Sequence, residues 1–134
     1  MLNRIKKLFL SYNIDGYLIP KNDEFFAEYS FPDRLRSVTK FSGSAGFAII
    51  LEKQNYLFVD GRYSIQAEQE SGKKFIICEI SKNDLTSVFQ KSKKHYKLGF
   101  DPKLFTENFL NKNINNNCEF IPLHINLVDK IHKI

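Results

Sequence analysis

Cysteine, tryptophan and methionine are the residues that this chain has least of. Its 134 residues include two cysteines, one methionine and no tryptophan. Cys78 and Cys118 lie far apart and form no CxxC pair, so a disulfide framework and a cysteine-based zinc site are both disfavoured. We expect two reduced and largely buried thiols. A domain of this length buries roughly two-thirds of its unfolded surface, so it needs neither a disulfide nor a metal to fold.

Long apolar runs are also missing. No stretch approaches the ~20 apolar residues that a transmembrane helix requires. Residues 2–12 alternate apolar and basic positions at helical spacing, which predicts an amphipathic helix rather than a signal peptide. The sequence therefore favours a cytoplasmic protein with no membrane contact.

Histidine is too sparse to suggest a metal centre. The three histidines, His95, His124 and His132, fall into none of the usual ligand spacings. The acidic residues do not form pairs at the ends of adjacent predicted strands either. Spacing alone therefore reveals neither a metal site nor a complete catalytic apparatus in this chain.

The positive charge is spread along the chain. The formal net charge is +5 and only four of the 20 basic residues are arginines. A nucleic-acid interface usually gathers its basic residues into a patch or stripe. We therefore favour a solvated basic surface, and keep nucleic-acid binding as the lesser alternative.

The strongest pattern in the sequence is a β-hairpin within residues 41–63. Residues 47–51 (FAIIL) and 56–59 (YLFV) are apolar runs rich in β-formers, and a short polar turn joins them. Because neither run alternates with polar residues, we expect both faces of the sheet to be covered.

Helices and strands are predicted to alternate along the rest of the chain. Further strands are expected at 17–19, 75–80, 96–100 and 119–122. Helices are expected at 2–12, 21–29, 32–41, 62–71, 82–92, from about 106, and at 124–134. In the helix at 62–71 we expect Ile65 and Ala67 to face inward, and the last helix includes Ile125. This order predicts an α/β domain with a mixed sheet and helices on its faces.

Two features flank the hairpin. Gly43 and Gly46 bracket a turn that enters the first strand from a helix, whereas a nucleophile elbow leads from a strand into a helix. A structural turn is the stronger interpretation, although bare backbone can also bind an anion.

Asp60 ends the second strand, where α/β folds often bind ligands. We favour a different role for its carboxylate, capping of the helix that begins near Arg62.

Four stretches together resemble the N-terminal domain of the aminopeptidase P branch of the creatinase/prolidase family. They lie in the family's order and nearly span the chain: DGYLIPKNDEFFAEY at 15–29, RLRSVTKFSGSAGFAIIL at 34–51, LFVDGRYSIQAEQE at 57–70 and INLVDKIHKI at 125–134. The pattern departs from the family at Lys40, where glycine is usual.

The resemblance implies a three-layer α/β fold of the ribonuclease-H-like kind, with about six strands in a mixed sheet over residues 1–134. It also implies that these residues are one part of an Xaa-Pro aminopeptidase. Members of the family remove an N-terminal residue that precedes proline, using two manganese, cobalt or zinc ions. Two aspartates, a histidine and two glutamates hold those ions in a C-terminal pita-bread domain, which we expect to be absent from this chain.

The resemblance further implies a non-catalytic role. In the family, this domain contributes to a homodimer and limits access of the peptide substrate to the active site. We therefore expect no catalytic residue, metal ligand or cofactor in this chain, and expect the catalytic domain to be its partner. The candidate residues for substrate access or for an interface are Asp23, Glu24, Glu28, Arg34, Gly43, Ser44, Gly46, Asp60, Arg62 and Tyr63.

One further alternative has a different functional class. The chain could be a stand-alone pseudoenzyme module that binds a peptide or a protein and cleaves nothing. It would then have a self-contained polar surface, whereas a docked accessory domain would expose an apolar or mixed face to its partner.

Overall fold

A computed structural model of the chain describes residues 2–20, 34–43, 46–80, 95–105, 109–110 and 118–132. The helices predicted at 21–29 and 82–92 lie outside these ranges. So do four of the candidate residues, Asp23, Glu24, Glu28 and Ser44.

Six strands form one mixed sheet, as predicted. They are β1 (Gly16–Pro20), β2 (Gly46–Leu51), β3 (Asn55–Val59), β4 (Ile76–Glu79), β5 (Tyr96–Phe100) and β6 (Cys118–Pro122), in the spatial order β4-β3-β2-β1-β5-β6. The predicted hairpin is the antiparallel pair β2–β3, with Gly46 opposite Val59. β1 is also antiparallel to β2, and the other neighbouring pairs are parallel. Five strands therefore point one way and β2 alone points the other way.

Each face of the sheet carries its own hydrophobic cluster. On β2, Ala48 and Ile50 pack against the helices of one face, whereas Ile49 and Leu51 belong to the cluster on the opposite face. The second cluster is completed by aromatic residues that include Phe105 and Phe109. Alternate side chains of one apolar run thus enter two different cores, which confirms the prediction that both faces are covered.

In the described part of the chain, four helices lie on the first face. They are α1 (Leu2–Tyr12), α2 (Arg34–Thr39), α3 (Ser64–Ser71) and α4 (Leu127–His132), and a 3-10 turn (Gly61–Tyr63) leads into α3. The amphipathic prediction for α1 is confirmed, since Ile5 and Phe9 are buried. None of the helices in the described ranges is long and apolar enough to cross a membrane.

The prediction that Ile65 faces inward is wrong, whereas Ala67 is buried as predicted. Ile65 is 75% exposed, because α3 turns Ala67 and Ser71 toward the sheet and a residue two positions before Ala67 faces away from it. The last helix begins later than predicted: Ile125 is 47% exposed and precedes α4, which begins at Leu127 and not at residue 124. The helix starts there because the side-chain oxygen of Asn126 accepts the backbone N–H of Val128 at 3.0 Å.

The end of α2 explains where the chain departs from the family pattern. Lys40 has a φ of 71°, and its backbone N–H donates to the carbonyl of Arg36 at 2.8 Å. This is the left-handed conformation that ends many helices and that glycine adopts without strain. Lysine occupies a position whose backbone favours glycine.

Candidate functional site

The carboxyl ends of the five co-directional strands share one edge of the sheet with the start of β2. Gly46 pairs with Val59 and Phe47 with Pro20 at this edge. The hairpin therefore brings the glycine turn before β2 next to the Asp60–Tyr63 segment after β3. We call Gly43, Gly46, Asp60, Arg62 and Tyr63 the hairpin-end cluster.

A buried aromatic ring, Phe41, joins the members of this cluster. Phe41 is fully buried, and its ring meets that of Tyr63 edge-to-face at 6.0 Å between centroids. A Cβ added at Gly43 would lie 2.2 Å from Cζ of Phe41. Gly43 is therefore required because the ring of Phe41 fills the space that a side chain would occupy. Residue types alone did not indicate this contact.

Gly46 is required for a different reason. Its φ is 154°, and a Cβ there would lie 2.7 Å from the carbonyl oxygen of Phe58 on the neighbouring strand. Both glycines thus have structural explanations, as the sequence suggested for this turn. Their presence is explained without a bound anion.

Asp60 caps the turn that follows β3, as predicted. Its Oδ1 accepts the backbone N–H of Arg62 at 3.0 Å and Nε of the same arginine at 3.2 Å. The backbone hydrogen bond, helped by the guanidinium, lowers the pKa of Asp60. The carboxylate is therefore held in its charged form beside Arg62.

Arg62 presents the main solvent-facing group of the cluster. Its side chain is 75% exposed, and its guanidinium carbon lies 5.5 Å from the centre of the Tyr63 ring. Cation–π contact and the bond to Asp60 orient the guanidinium without burying it. An exposed, pre-oriented arginine next to an aromatic ring is well suited to a protein or peptide contact.

The loop between α2 and β2 is tied to α3. The carboxylate of Glu70 accepts the backbone N–H of Ser42 at 3.0 Å and its hydroxyl at 2.8 Å. Gln66 donates to the same hydroxyl at 2.8 Å. The Ser42 backbone hydrogen bond is the main cause that lowers the pKa of Glu70. These contacts fix the backbone that leads into the glycine turn.

Arg34 does not belong to the hairpin-end cluster. Its Nε and Nη2 bind the two carboxylate oxygens of Asp129 at 2.8 and 2.9 Å, and this bidentate contact raises the pKa of Arg34. The side chain of Arg34 is only 14% exposed. Arg34 was predicted as a candidate for substrate access or for an interface, and the structure places it between α2 and α4.

A buried polar network surrounds the start of α4. Asn126 donates from Nδ2 to Asp101 at 3.0 Å, and the hydroxyl of Tyr17 accepts the backbone N–H of Leu127 at 3.3 Å. Burial raises the pKa of Tyr17, so its hydroxyl stays protonated. Sequence reasoning missed these residues as a group, although the matched stretch at 125–134 contains Asn126 and Asp129.

A cleft of about 590 Å³ opens beside the ends of α2 and α3. It is lined by Lys40, Lys73 and Lys74 together with Glu70. Positive charges at the carboxyl ends of helices complement the helix dipole, so these lysines have a structural explanation without a ligand.

The described residues do not fit a metal centre. Among them, no three histidine, cysteine or carboxylate side chains lie close enough together to hold a metal ion. Cys78 and Cys118 are not joined by a disulfide, and they are half-buried and buried respectively. Burial raises the pKa of the Cys78 thiol.

The fold is a three-layer α/β domain, and the hairpin-end cluster presents an exposed arginine, Arg62, at one end of its sheet. The family model for the creatinase/prolidase N-terminal domain matches residues 1–131. The chain belongs to this family.

Curated relatives are similar over almost the whole chain. A probable Xaa-Pro aminopeptidase P of Coprinopsis cinerea is 30% identical over 96% of the chain, and Xaa-Pro aminopeptidase 2 of Sus scrofa is 29% identical over 97%. The chain spans only 22% and 20% of the length of these relatives. It therefore corresponds to about a fifth of each.

Solved structures support the same fold. The X-prolyl aminopeptidase of Caenorhabditis elegans, described as a cytosolic enzyme with a di-nuclear active site, has a TM-score of 0.86 at 22% identity, over 98% of this chain and 25% of that one. The N-terminal domain of the cytoplasmic peptidase PepQ of Mycobacterium tuberculosis has a TM-score of 0.74 at 20% identity, over 97% and 96% of the two chains. At these identities the likeness establishes the fold.

Proposed function

We propose that this chain serves as the non-catalytic N-terminal domain of an Xaa-Pro aminopeptidase, helping to form the oligomer and limiting access to the active site. The observation that carries the proposal is the family match over residues 1–131. The proposal is also supported by the relatives named as Xaa-Pro aminopeptidases, of whose length the chain covers about a fifth. The catalytic residues would then lie in the remaining four-fifths of such a protein.

The partners follow from the same proposal. The principal partner is a C-terminal catalytic domain that holds two divalent metal ions, with manganese, cobalt and zinc as the candidates. The substrate is a peptide with proline in second position, the assembly is a homodimer, and the compartment is the cytosol. We assign the metal ions to the catalytic domain, and the role proposed for this chain involves no metal-dependent step.

The hairpin-end cluster is the contact surface that we assign to this domain. Its exposed group is Arg62, which Asp60 and Tyr63 orient from two sides. A pre-oriented guanidinium loses little side-chain entropy on binding and can bind a carboxylate with two hydrogen bonds. The cluster therefore suits a carboxylate of the catalytic domain, of a second subunit or of a peptide near the active-site entrance.

The test is release of the N-terminal residue from a peptide with proline in second position, with manganese supplied. The chain is assayed alone and together with the catalytic domain of an Xaa-Pro aminopeptidase whose own N-terminal domain has been deleted. We expect no turnover by the chain alone and a change in turnover or in accepted peptide length for the mixture. The Arg62→Met variant should lose that effect, whereas Arg4→Met, an exposed arginine on α1, should keep it.

Two outcomes would overturn the proposal. Turnover by the chain alone would require a catalytic site within it. A mixture in which the chain neither alters turnover nor binds the catalytic domain would instead favour a stand-alone binding module. The lesser alternative, nucleic-acid binding, would be recognised separately by binding that falls steeply with salt.

A further inference from the structure

The short helix α2 contacts two parts of the molecule that are distant in sequence. Its first residue, Arg34, binds Asp129 of α4, which lies 95 positions later in the chain. Both side chains are mostly buried, with 14% and 27% exposure. Two parallel N–H···O bonds fix the relative direction of the two groups as well as their distance. The start of α2 is therefore locked to α4.

The other end of α2 is locked to the hairpin-end cluster. The backbone carbonyl of Thr39 accepts the hydroxyl of Ser71 on α3 at 2.7 Å. The Thr39 hydroxyl donates to the carbonyl of Leu35 at 2.8 Å and accepts the backbone N–H of Phe41 at 3.0 Å. All these contacts are buried, and Phe41 is the ring against which Gly43 and Tyr63 pack.

The start of α4 has anchors of its own. Asn126 bonds to Asp101, which follows β5, and Leu127 donates its backbone N–H to Tyr17 of β1. The side chains of Leu127 and Val128 are buried in the core. These contacts hold the start of α4, and Ile131 near its other end packs against the same hydrophobic core. Apolar packing has no preferred direction, whereas the bidentate contact of Asp129, in the first turn of α4, with Arg34 of α2 fixes direction as well as distance.

We infer that α2 sets the direction of α4 relative to the hairpin-end cluster, and that Arg34 and Asp129 are the positioning residues of this link. In an Xaa-Pro aminopeptidase the chain continues beyond α4 into the catalytic domain, so the link would fix how the cluster faces that domain. This consequence rests on the proposed function. The fixed direction of α4 is a property of the chain itself.

A spin-label distance between α3 and α4 tests the inference. The background carries Cys78→Ala and Cys118→Ala, and labels are attached through Ile65→Cys, which is 75% exposed, and Lys130→Cys, which is also exposed. We expect a single narrow distance distribution with Arg34 and Asp129 intact. Arg34→Met retains the aliphatic stem and removes the ion pair, and should broaden the distribution. Asp129→Asn retains the shape and removes the charge, and should broaden it too.

A stability-matched control separates positioning from a general loosening of the fold. Ile5→Val removes one methylene from the same helical face, where Ile5 is fully buried, and should lower the urea midpoint while leaving the distribution narrow. The inference is overturned if both Arg34→Met and Asp129→Asn keep the narrow distance distribution, or if Ile5→Val broadens it as much as they do. The peptide assay of the mixed domains reports on the proposed function separately, since failure there leaves the distance result unchanged.

Discussion

The Cα of Gly46 faces the carbonyl oxygen of Phe58 so closely that a Cβ would come within 2.7 Å of it. The φ of 154° at Gly46 adds to this conflict, because side-chain-bearing residues rarely adopt it. Gly46→Ala should therefore lower the free energy of unfolding by about 2 kcal/mol. Urea denaturation followed by circular dichroism measures this loss.

Gly61→Ala is the matched control for that substitution. Its Cβ would meet nothing closer than 3.6 Å, at the carboxylate of Glu79. We expect a change within about 0.5 kcal/mol. Equal losses for the two glycines would contradict the explanation by close approach of the strands.

Replacing Lys40 by glycine should stabilise the protein. The left-handed backbone at Lys40 strains a residue that has a Cβ by about 1–2 kcal/mol. Glycine removes that strain, although it costs part of the gain by adding entropy to the unfolded chain. The net increase in the free energy of unfolding should be about 0.5–1 kcal/mol, measured as a rise in the urea midpoint. Lys40→Ala removes the charge but keeps the Cβ, so a comparable rise in that variant would contradict a conformational cause.

The sheet could be predicted from the sequence because its signals are local. Apolar β-forming runs such as FAIIL at 47–51 can be recognised without reference to distant residues. The capping role of Asp60 can likewise be predicted from its position directly before the Gly61–Tyr63 turn. The Arg34–Asp129 pair could not be predicted in this way. The two residues are 95 positions apart, and charged residues on short helices are most often solvated. Only the fold brings them together.

The inward position of Ile65 was mispredicted because the sequence does not show which side of α3 faces the sheet. Two substitutions test the orientation of α3 that the structure shows. Both Ile65 and Ala67 were predicted to face inward; Ala67 is fully buried against the sheet, as predicted, whereas Ile65 is exposed. Ile65→Lys should change the free energy of unfolding by less than about 0.5 kcal/mol. Ala67→Leu inserts extra volume into a packed core and should cost about 1–3 kcal/mol. Thermal unfolding of both variants decides it, and the reverse ranking would place Ile65 inside.

The bond between Glu70 and Ser42 should make stability depend on acid pH. The folded state lowers the pKa of Glu70 below its ordinary value of 4.5, chiefly through the backbone N–H of Ser42. A carboxyl group whose pKa is lowered by folding binds fewer protons in the native state than in the unfolded state. Its contribution to stability is therefore complete above pH 4.5 and is lost as the pH falls through the lower, folded pKa.

Glu70→Gln should thus reduce stability at neutral pH and have little further effect in acid. The measurement is the urea midpoint of the wild type and of the variant, each at neutral pH and well below pH 4.5. The gap between the two proteins should close on acidification, because the protonated glutamate no longer offers a charged acceptor to Ser42. Glu68→Gln removes a charge from the same helix without touching Ser42 and should show no such closing gap. A gap that stays constant with pH for Glu70→Gln would mean that the charge of Glu70 does not hold the loop before β2.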